Sequence, residues 1–310
     1  MINKRVAYSL QARNSLCALY VLCGNLSFMI VSFHPLFEAD KNIICAGREP
    51  GADDLAAVKA AEAVILPQGC RQSLYEMARD NCRHVFPDYE ARFNYPGKIG
   101  QMRLFQKNGT AHPHAEIYPS LADFKQQYGE TPTKIVFELP CVFKFDWGGE
   151  GETVYLINSR ENLKTVLQKA ADFERSGQKG FLLQEYVPTE GKTLRVVIIG
   201  RTLISYWRIQ ENTDGFMSSV SRGARIDASL QPRRQNVAKV FVKNFCNKTS
   251  INLAGFDVIF APVKEYIKPL MLEINYFFGR KGLGGSDAFY EILKSEIDNW
   301  LAKTLSEKDG

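Results

Sequence analysis

Three residues in the last fifth of the chain carry oxygen-bearing side chains in a pattern that suits a hard cation: Asp257, Glu273 and Asn275. Asp257 ends Ala-Gly-Phe-Asp at the start of an expected strand. Glu273 and Asn275 lie two apart in Met-Leu-Glu-Ile-Asn, a spacing that puts both side chains on one face of a strand. Two carboxylates and an amide oxygen suit Mg2+, which keeps waters and takes its remaining ligands from phosphate oxygens. The competing explanation is a set of polar residues at strand ends. Yet Glu273 and Asn275 interrupt the apolar run PLMLEINYFF, where burying them without a partner is costly.

A second cluster is Asp146-Trp147-Gly148-Gly149-Glu150-Gly151-Glu152, between the expected strands Phe-Lys-Phe and TVYLI. The glycines let backbone N–H groups approach a phosphate closely, and Lys144 stands two residues before the loop. A plain hairpin with an exposed lysine is the alternative. No Gly-Lys-Ser/Thr and no helix follow, so this is not a Walker A loop. Arg195, Arg208, Arg222 and Arg225 form a series whose planar forks suit carboxylates and phosphates, or ordinary salt bridges. Gln184-Glu185-Tyr186-Val187 leaves an apolar strand and can offer backbone groups to a flat heteroaromatic ring.

The elements that must position these residues change character along the chain. Strands are expected at 4–10, 27–33 and 42–47, with a helix at 15–23. ADDLAAVKAAEAVILP reads as a helix started by Asp53 or Asp54 that runs into a strand, and 72–86 as a further helix. This alternation implies an α/β layer with a parallel sheet, without a Gly-x-Gly-x-x-Gly fingerprint. Tyr95-Pro96-Gly97 marks the boundary of this first unit. Helices are expected at 98–108 and 121–129. From 134 the texture is β: KIVFEL, CVFKF, TVYLI, FLLQEYV, LRVVIIG and TLISYWRIQ, with a helix inserted at 161–175. A helix at 232–249, the strands LAGFDVIFAP and PLMLEINYF, and a closing helix complete the chain.

The length of 310 residues and 45% hydrophobic content exclude wholesale disorder. The formal net charge is +5. Residues 1–95 hold ten basic and ten acidic side chains, whereas 192–235 hold eight basic and three acidic. The excess therefore clusters around the arginine series, which suits anionic ligands. The seven cysteines show no Cys-x-x-Cys spacing and are odd in number, which argues against a disulfide framework or a zinc site and for a reducing cytoplasm. The apolar stretch 15–33 is split by Gly24, Asn25 and Ser27, so helix, turn and strand explain it better than a membrane anchor. No membrane partner is expected on that ground, and no nucleic-acid partner because no basic–aromatic interleaved motif occurs. A homodimer or homotetramer is compatible with the sequence.

Taken in order, these residues resemble the ATP-grasp superfamily, in particular its RimK-type and glutathione-synthetase-type carboxylate–amine ligases, over about residues 96–290. The resemblance implies an α/β and α+β architecture. A small Rossmann-like pre-ATP-grasp domain (1–95) precedes a first lobe with the Gly-rich loop (96–182) and a second lobe with the metal site (183–310). It implies ATP and Mg2+, or Mn2+, as cofactors. Lys98, Lys144, Gly148, Gly149 and Gly151 match the phosphate contacts. Gln184, Glu185, Tyr186 and Val187 match the adenine hinge, and Asp257, Glu273 and Asn275 the metal ligands. Arg195, Arg208 and Arg222 match basic positions near the reacting groups. Two departures stand out. Thr193 occupies the place of a usual Asp, leaving Glu190 or Lys192 as ribose contacts. Tyr276–Lys281 replaces a short Ser-Pro-Gly turn beside the acceptor site. The implied reaction joins a carboxylate to an amine through an acylphosphate. A small-molecule phosphotransferase and a silent nucleotide-binding module are the competing classes.

Overall fold

The computed structural model describes residues 29–130, 132, 135–149, 151–210, 223–262 and 266–306. The expected strand at 4–10, the helix at 15–23, Cys17, Cys23, Glu150 and Arg222 lie outside them. The five described cysteines are buried and free. No helix among the described residues is long and apolar enough to cross a membrane.

The leading unit consists of β1 (Ile30–Ser32), β2 (Lys41–Asn42), α1 (Ala52–Ala60), β3 (Ala63–Ile65), α2 (Gln72–Asn81), β4 (His84–Phe86) and α3 (Glu90–Asn94). Its strands form a parallel sheet in the order β2–β1–β3–β4. Asp54 starts α1 as expected: its carboxylate accepts from the Gly51 N–H at 2.7 Å and pairs with Arg48. Two expectations need correction. The strand at 42–47 shrinks to Lys41–Asn42, because Ala46 and Gly47 turn with φ of 44° and 79°. The helix at 72–86 stops at Asn81: Cys82 is extended, and His-Val-Phe joins the sheet as β4.

The middle of the chain folds as α4 (Gly97–Lys107), β5 (Ala115–Tyr118), α5 (Leu121–Tyr128), β6 (Cys141–Phe145), β7 (Val154–Ile157), α6 (Arg160–Arg175) and β8 (Phe181–Glu185). The sheet is antiparallel, in the order β5–β8–β6–β7. Aromatics fill its core, with Phe143 and Phe181 stacked at 4.5 Å. Ala-Glu-Ile-Tyr was not expected as a strand. KIVFEL, which was, forms none among its described residues. β5 and β6 take both edges of β8, and Pro140, just before β6, has no N–H of its own to donate to a ladder.

The last sheet contains β9 (Lys192–Ile199), β10 (Thr202–Ile209) and β11 (Arg225–Asp227). After α7 (Pro232–Thr249) come β12 (Leu253–Phe260) and β13 (Pro269–Asn275), then α8 (Ser286–Ser306). Its order is β11–β10–β9–β12–β13, antiparallel throughout. Period-two alternation in β9 splits the packing. Leu194, Val196 and Ile198 join Ala238, Val242 and Phe245 of α7, whereas Val197 and Ile199 join Phe289, Leu293 and Ile297 of α8. Ala63, Ile65 and Phe86 of the leading sheet belong to that second cluster, so α8 packs against both sheets. α4 lies across the other side, its Phe105 ring 5.7 Å from Phe245.

Candidate functional site

The site begins as a row of side chains across four strands. Tyr206 on β10 pairs in register with Arg195 on β9, Arg195 with Asp257 on β12, and Asp257 with Glu273 on β13. Directly opposed residues share a face, so the four side chains stand together although the chain separates them by up to 78 positions. A β-bulge between Asp257 and Val258 re-aims this part of the sheet. Gly255 leaves the space that the Arg195 guanidinium occupies: a Cβ there would stand 3.0 Å from Arg195 Nη1.

Asp257 is the electrostatic centre of the row. Its Oδ1 accepts from Arg195 Nε at 2.6 Å and meets Arg208 Nη2 at 2.7 Å, and its Oδ2 accepts from Arg195 Nη2 at 3.2 Å. Burial alone would raise its pKa, but the two guanidiniums hold it down to about 2. Asn275 Nδ2 lies 3.3 Å from Asp257 Oδ2. Glu273 is raised above the ordinary carboxylate value, first by burial and then by Asp257 opposite it. Two facing carboxylates with an adjacent amide form a donor set that fits a divalent cation, and such an ion would relieve the repulsion that raises Glu273.

Across the cleft stand the lysines. Lys144 on β6 is buried, and burial pulls its pKa down to about 8 against the pull of Glu273. Lys98, in the first turn of α4, donates from Nζ to the Trp147 and Gly148 carbonyl oxygens at 2.9 Å each. The same helix is capped from the Gly-rich hairpin, since the Ile99 N–H donates to Asp146 Oδ1 at 2.7 Å. Pro96, in the cap position, brings no side-chain acceptor, so Asp146 supplies it. Gly148 adopts φ of 80°, and a Cβ there would lie 2.6 Å from Thr153 Cγ2.

These groups border a cavity of about 440 Å³ between the two antiparallel sheets. Lys98, Lys144, Gly149, Gly151, Arg195, Arg208, Asp257, Glu273 and Asn275 all line it. Gln184, Glu185, Tyr186 and Val187 border its apolar end with Met102, Val142, Ile259 and Leu272, a slot suited to a flat ring. Gly148 turns its carbonyl to Lys98 and does not line the space. Glu190 stands outside it: highly exposed, its carboxylate meets Lys192 at 3.1 Å, while Thr189 and Thr193 reach the lining. Arg195 and Arg208, expected beside substrate, line the cavity with their guanidiniums paired to Asp257. Arg208 Nε and Gln184 Nε2 are buried without a partner among the described residues. Phe277, Phe278, Gly279 and Lys281 also line the cavity. Sequence reasoning missed Tyr206, Gln101 and the capping role of Asp146. The row in register is the signal for Tyr206, since it faces Arg195 on the neighbouring strand.

The Lys144 shift has a measurable consequence. An anionic ligand favours the charged ammonium, so binding raises the pKa and takes up a proton once the free protein has lost it. Triphosphate affinity should be flat below pH 8 and fall above it, by up to about tenfold per pH unit. Calorimetry in buffers of different ionisation enthalpy reads both effects. K144M should remove that slope, and a wild-type affinity flat from pH 7 to 9.5 would contradict the assignment.

Two antiparallel sheets with a cleft between them, a Gly-rich hairpin and lysines on one side and an acid–amide row on the other, define a nucleotide clamp of the ATP-grasp type. The chain belongs to the RimK-like ATP-grasp family, whose domain model matches residues 97–294. A probable alpha-L-glutamate ligase of Coxiella burnetii is 24% identical over 177 residues, covering 56% of this chain and 51% of that protein. The chain thus spans about half the length of the curated relatives it matches. Among solved structures, a RimK domain ATP-grasp protein from Sphaerobacter thermophilus superposes with a TM-score of 0.58 at 12% identity, covering 86% of this chain and 98% of that one. D-alanyl-alanine synthetase A from Vibrio cholerae superposes at 0.53 and 14% identity, covering 78% and 77%.

Proposed function

We propose that this chain is an ATP- and Mg2+-dependent ligase that joins a carboxylate to an amine through an acylphosphate, forming a peptide-like amide. The observation that carries the reading is the in-register row Arg195–Asp257–Glu273, set across one cavity from Lys98, Lys144 and the Gly-rich hairpin. The lobes 96–182 and 183–310 clamp the nucleotide, with residues 1–95 as the leading domain. The base lies in the apolar slot beside Gln184–Val187, and Lys98 and Lys144 hold the phosphates. A divalent cation on Asp257, Glu273 and Asn275 supplies charge neutralisation at the phosphate oxygens; Mn2+ suits the same ligands.

A substrate carboxylate oxygen attacks the γ-phosphorus and the bond to ADP breaks. The amine then attacks the acyl carbon, phosphate leaves with the bonding pair, and the amine loses a proton. Placement and charge neutralisation dominate both steps. Arg208 Nε is a donor free to meet substrate or acylphosphate oxygens, and Arg222 belongs to the same basic segment. The Gly-rich hairpin shields the acyl intermediate from water. The carboxylate comes from an amino acid, a small peptide or a protein tail, and the named relative makes glutamate the first compound to try. A cytoplasmic location suits the free thiols and the ATP requirement.

The test is a panel of amino acids and dipeptides incubated with Mg-ATP, read by phosphate release and product mass. Release that requires both a carboxylate and an amine is expected. A phosphorylated product formed without any amine would replace this reading with a phosphotransferase.

A further inference from the structure

We infer that Gln101 is a positioning residue that sets the metal-ligand strand from the opposite side of the cleft. The inference rests on the ligase reading in taking Glu273 and Asn275 as ligands. β13 is the edge strand of its sheet, so the outward N–H and C=O groups find no partner strand. At Ile274 the Gln101 side chain takes both places. Its Nε2 donates to the Ile274 carbonyl oxygen at 2.9 Å, and its Oε1 accepts from the Ile274 N–H at 2.8 Å. A primary amide thus reproduces one rung of a β ladder.

The position of that rung gives it meaning. The Ile274 N–H belongs to the peptide that leaves Glu273, and the Ile274 carbonyl to the peptide that enters Asn275. Clamping both fixes the backbone from which each ligand springs. Farther along the strand, Met271 N–H donates to the Ala111 carbonyl oxygen at 2.8 Å, so the edge is held at a second point. Gln101 also stands three residues after Lys98 on α4, close to one helical turn. Lys98 grips the Gly-rich hairpin and Asp146 caps the helix from that hairpin. One helix therefore spans from the phosphate loop to the metal-ligand strand, and Gln101 is its contact with the latter.

No other common side chain of this length both donates and accepts. Gln101→Met keeps the shape and removes both hydrogen bonds, whereas Gln101→Glu keeps the acceptor and loses the donor. Two affinities separate positioning from general damage: Mn2+ titrated by electron paramagnetic resonance with saturating ADP, and ADP binding in EDTA. Q101M should weaken Mn2+ about tenfold, the scale for residues that orient metal ligands, and leave metal-free ADP binding within about twofold. Amide exchange over 270–276 should quicken in step.

Mn2+ affinity unchanged in both variants overturns the inference, and so does an equal loss of metal-free ADP binding. Should Q101M fail to fold, Q101E and wild-type exchange decide it: an unprotected Ile274 amide in the wild type overturns it. A wild type that binds no Mn2+ sinks the metal-site reading itself.

Discussion

Glu273→Gln should lower ATP turnover at saturating Mg2+ by more than about a hundredfold, beyond the effect typical of residues that only orient a metal ligand. Glutamine keeps the shape and one oxygen, so the loss isolates the charge. Glu273 directly faces Asp257 in the sheet, and both Lys98 and Lys144 feel its field across the cleft. Three consequences follow from removing it. The cation loses an anionic ligand, Lys98 and Lys144 lose a compensating charge, and Asp257 loses a repelling neighbour. Mn2+ affinity should therefore fall with turnover, while nucleotide binding in EDTA persists. Steady-state phosphate release and Mn2+ titration check both. A variant within about threefold of wild type in each would remove Glu273 from the metal site.

Asp257→Asn carries the larger expected effect on stability. Arg195 and Arg208 are buried against this one carboxylate. Removing the charge leaves two guanidiniums uncompensated in the interior, which costs about 3–5 kcal/mol for a broken buried pair. For a chain of this size the melting temperature should drop by roughly 5–8 °C. The same substitution removes a cation ligand, so stability and metal affinity fall together, unlike in Glu273→Gln. Differential scanning fluorimetry of the two variants side by side reads the contrast. An Asp257→Asn protein that melts with the wild type would mean the arginines find other partners.

What could be read in the sequence was local. The Gly-rich hairpin is legible because three glycines in four positions have few structural uses, and Glu273 and Asn275 because a spacing of two has a fixed meaning in a strand. The leading sheet was legible from alternation, although Ala46–Gly47 cut one strand short and Cys82 ended a helix early. What escaped reading depends on register and on edges. The pairing of Arg195 with Asp257 joins residues 62 apart, and only the alignment of β9 with β12 creates it. KIVFEL has strand composition, yet it is the modest Ala-Glu-Ile-Tyr segment that takes the place beside β8. Glu190 matches its expected neighbourhood in sequence, yet a left-handed backbone with φ of 51° goes with a side chain that meets Lys192 and stays out of the cavity. Gln101 gave no signal, because a single amide on a helix is ordinary until an edge strand lies against it.

The central claim is that a substrate carboxylate becomes an acylphosphate before an amine displaces phosphate. Amino acids labelled with 18O in their carboxylates, supplied with Mg-ATP and an amine acceptor, test it directly. Transfer of a carboxylate oxygen predicts one 18O in each phosphate released, matched one to one by amide product. Phosphate carrying no label, or release that continues without the carboxylate, would contradict the account.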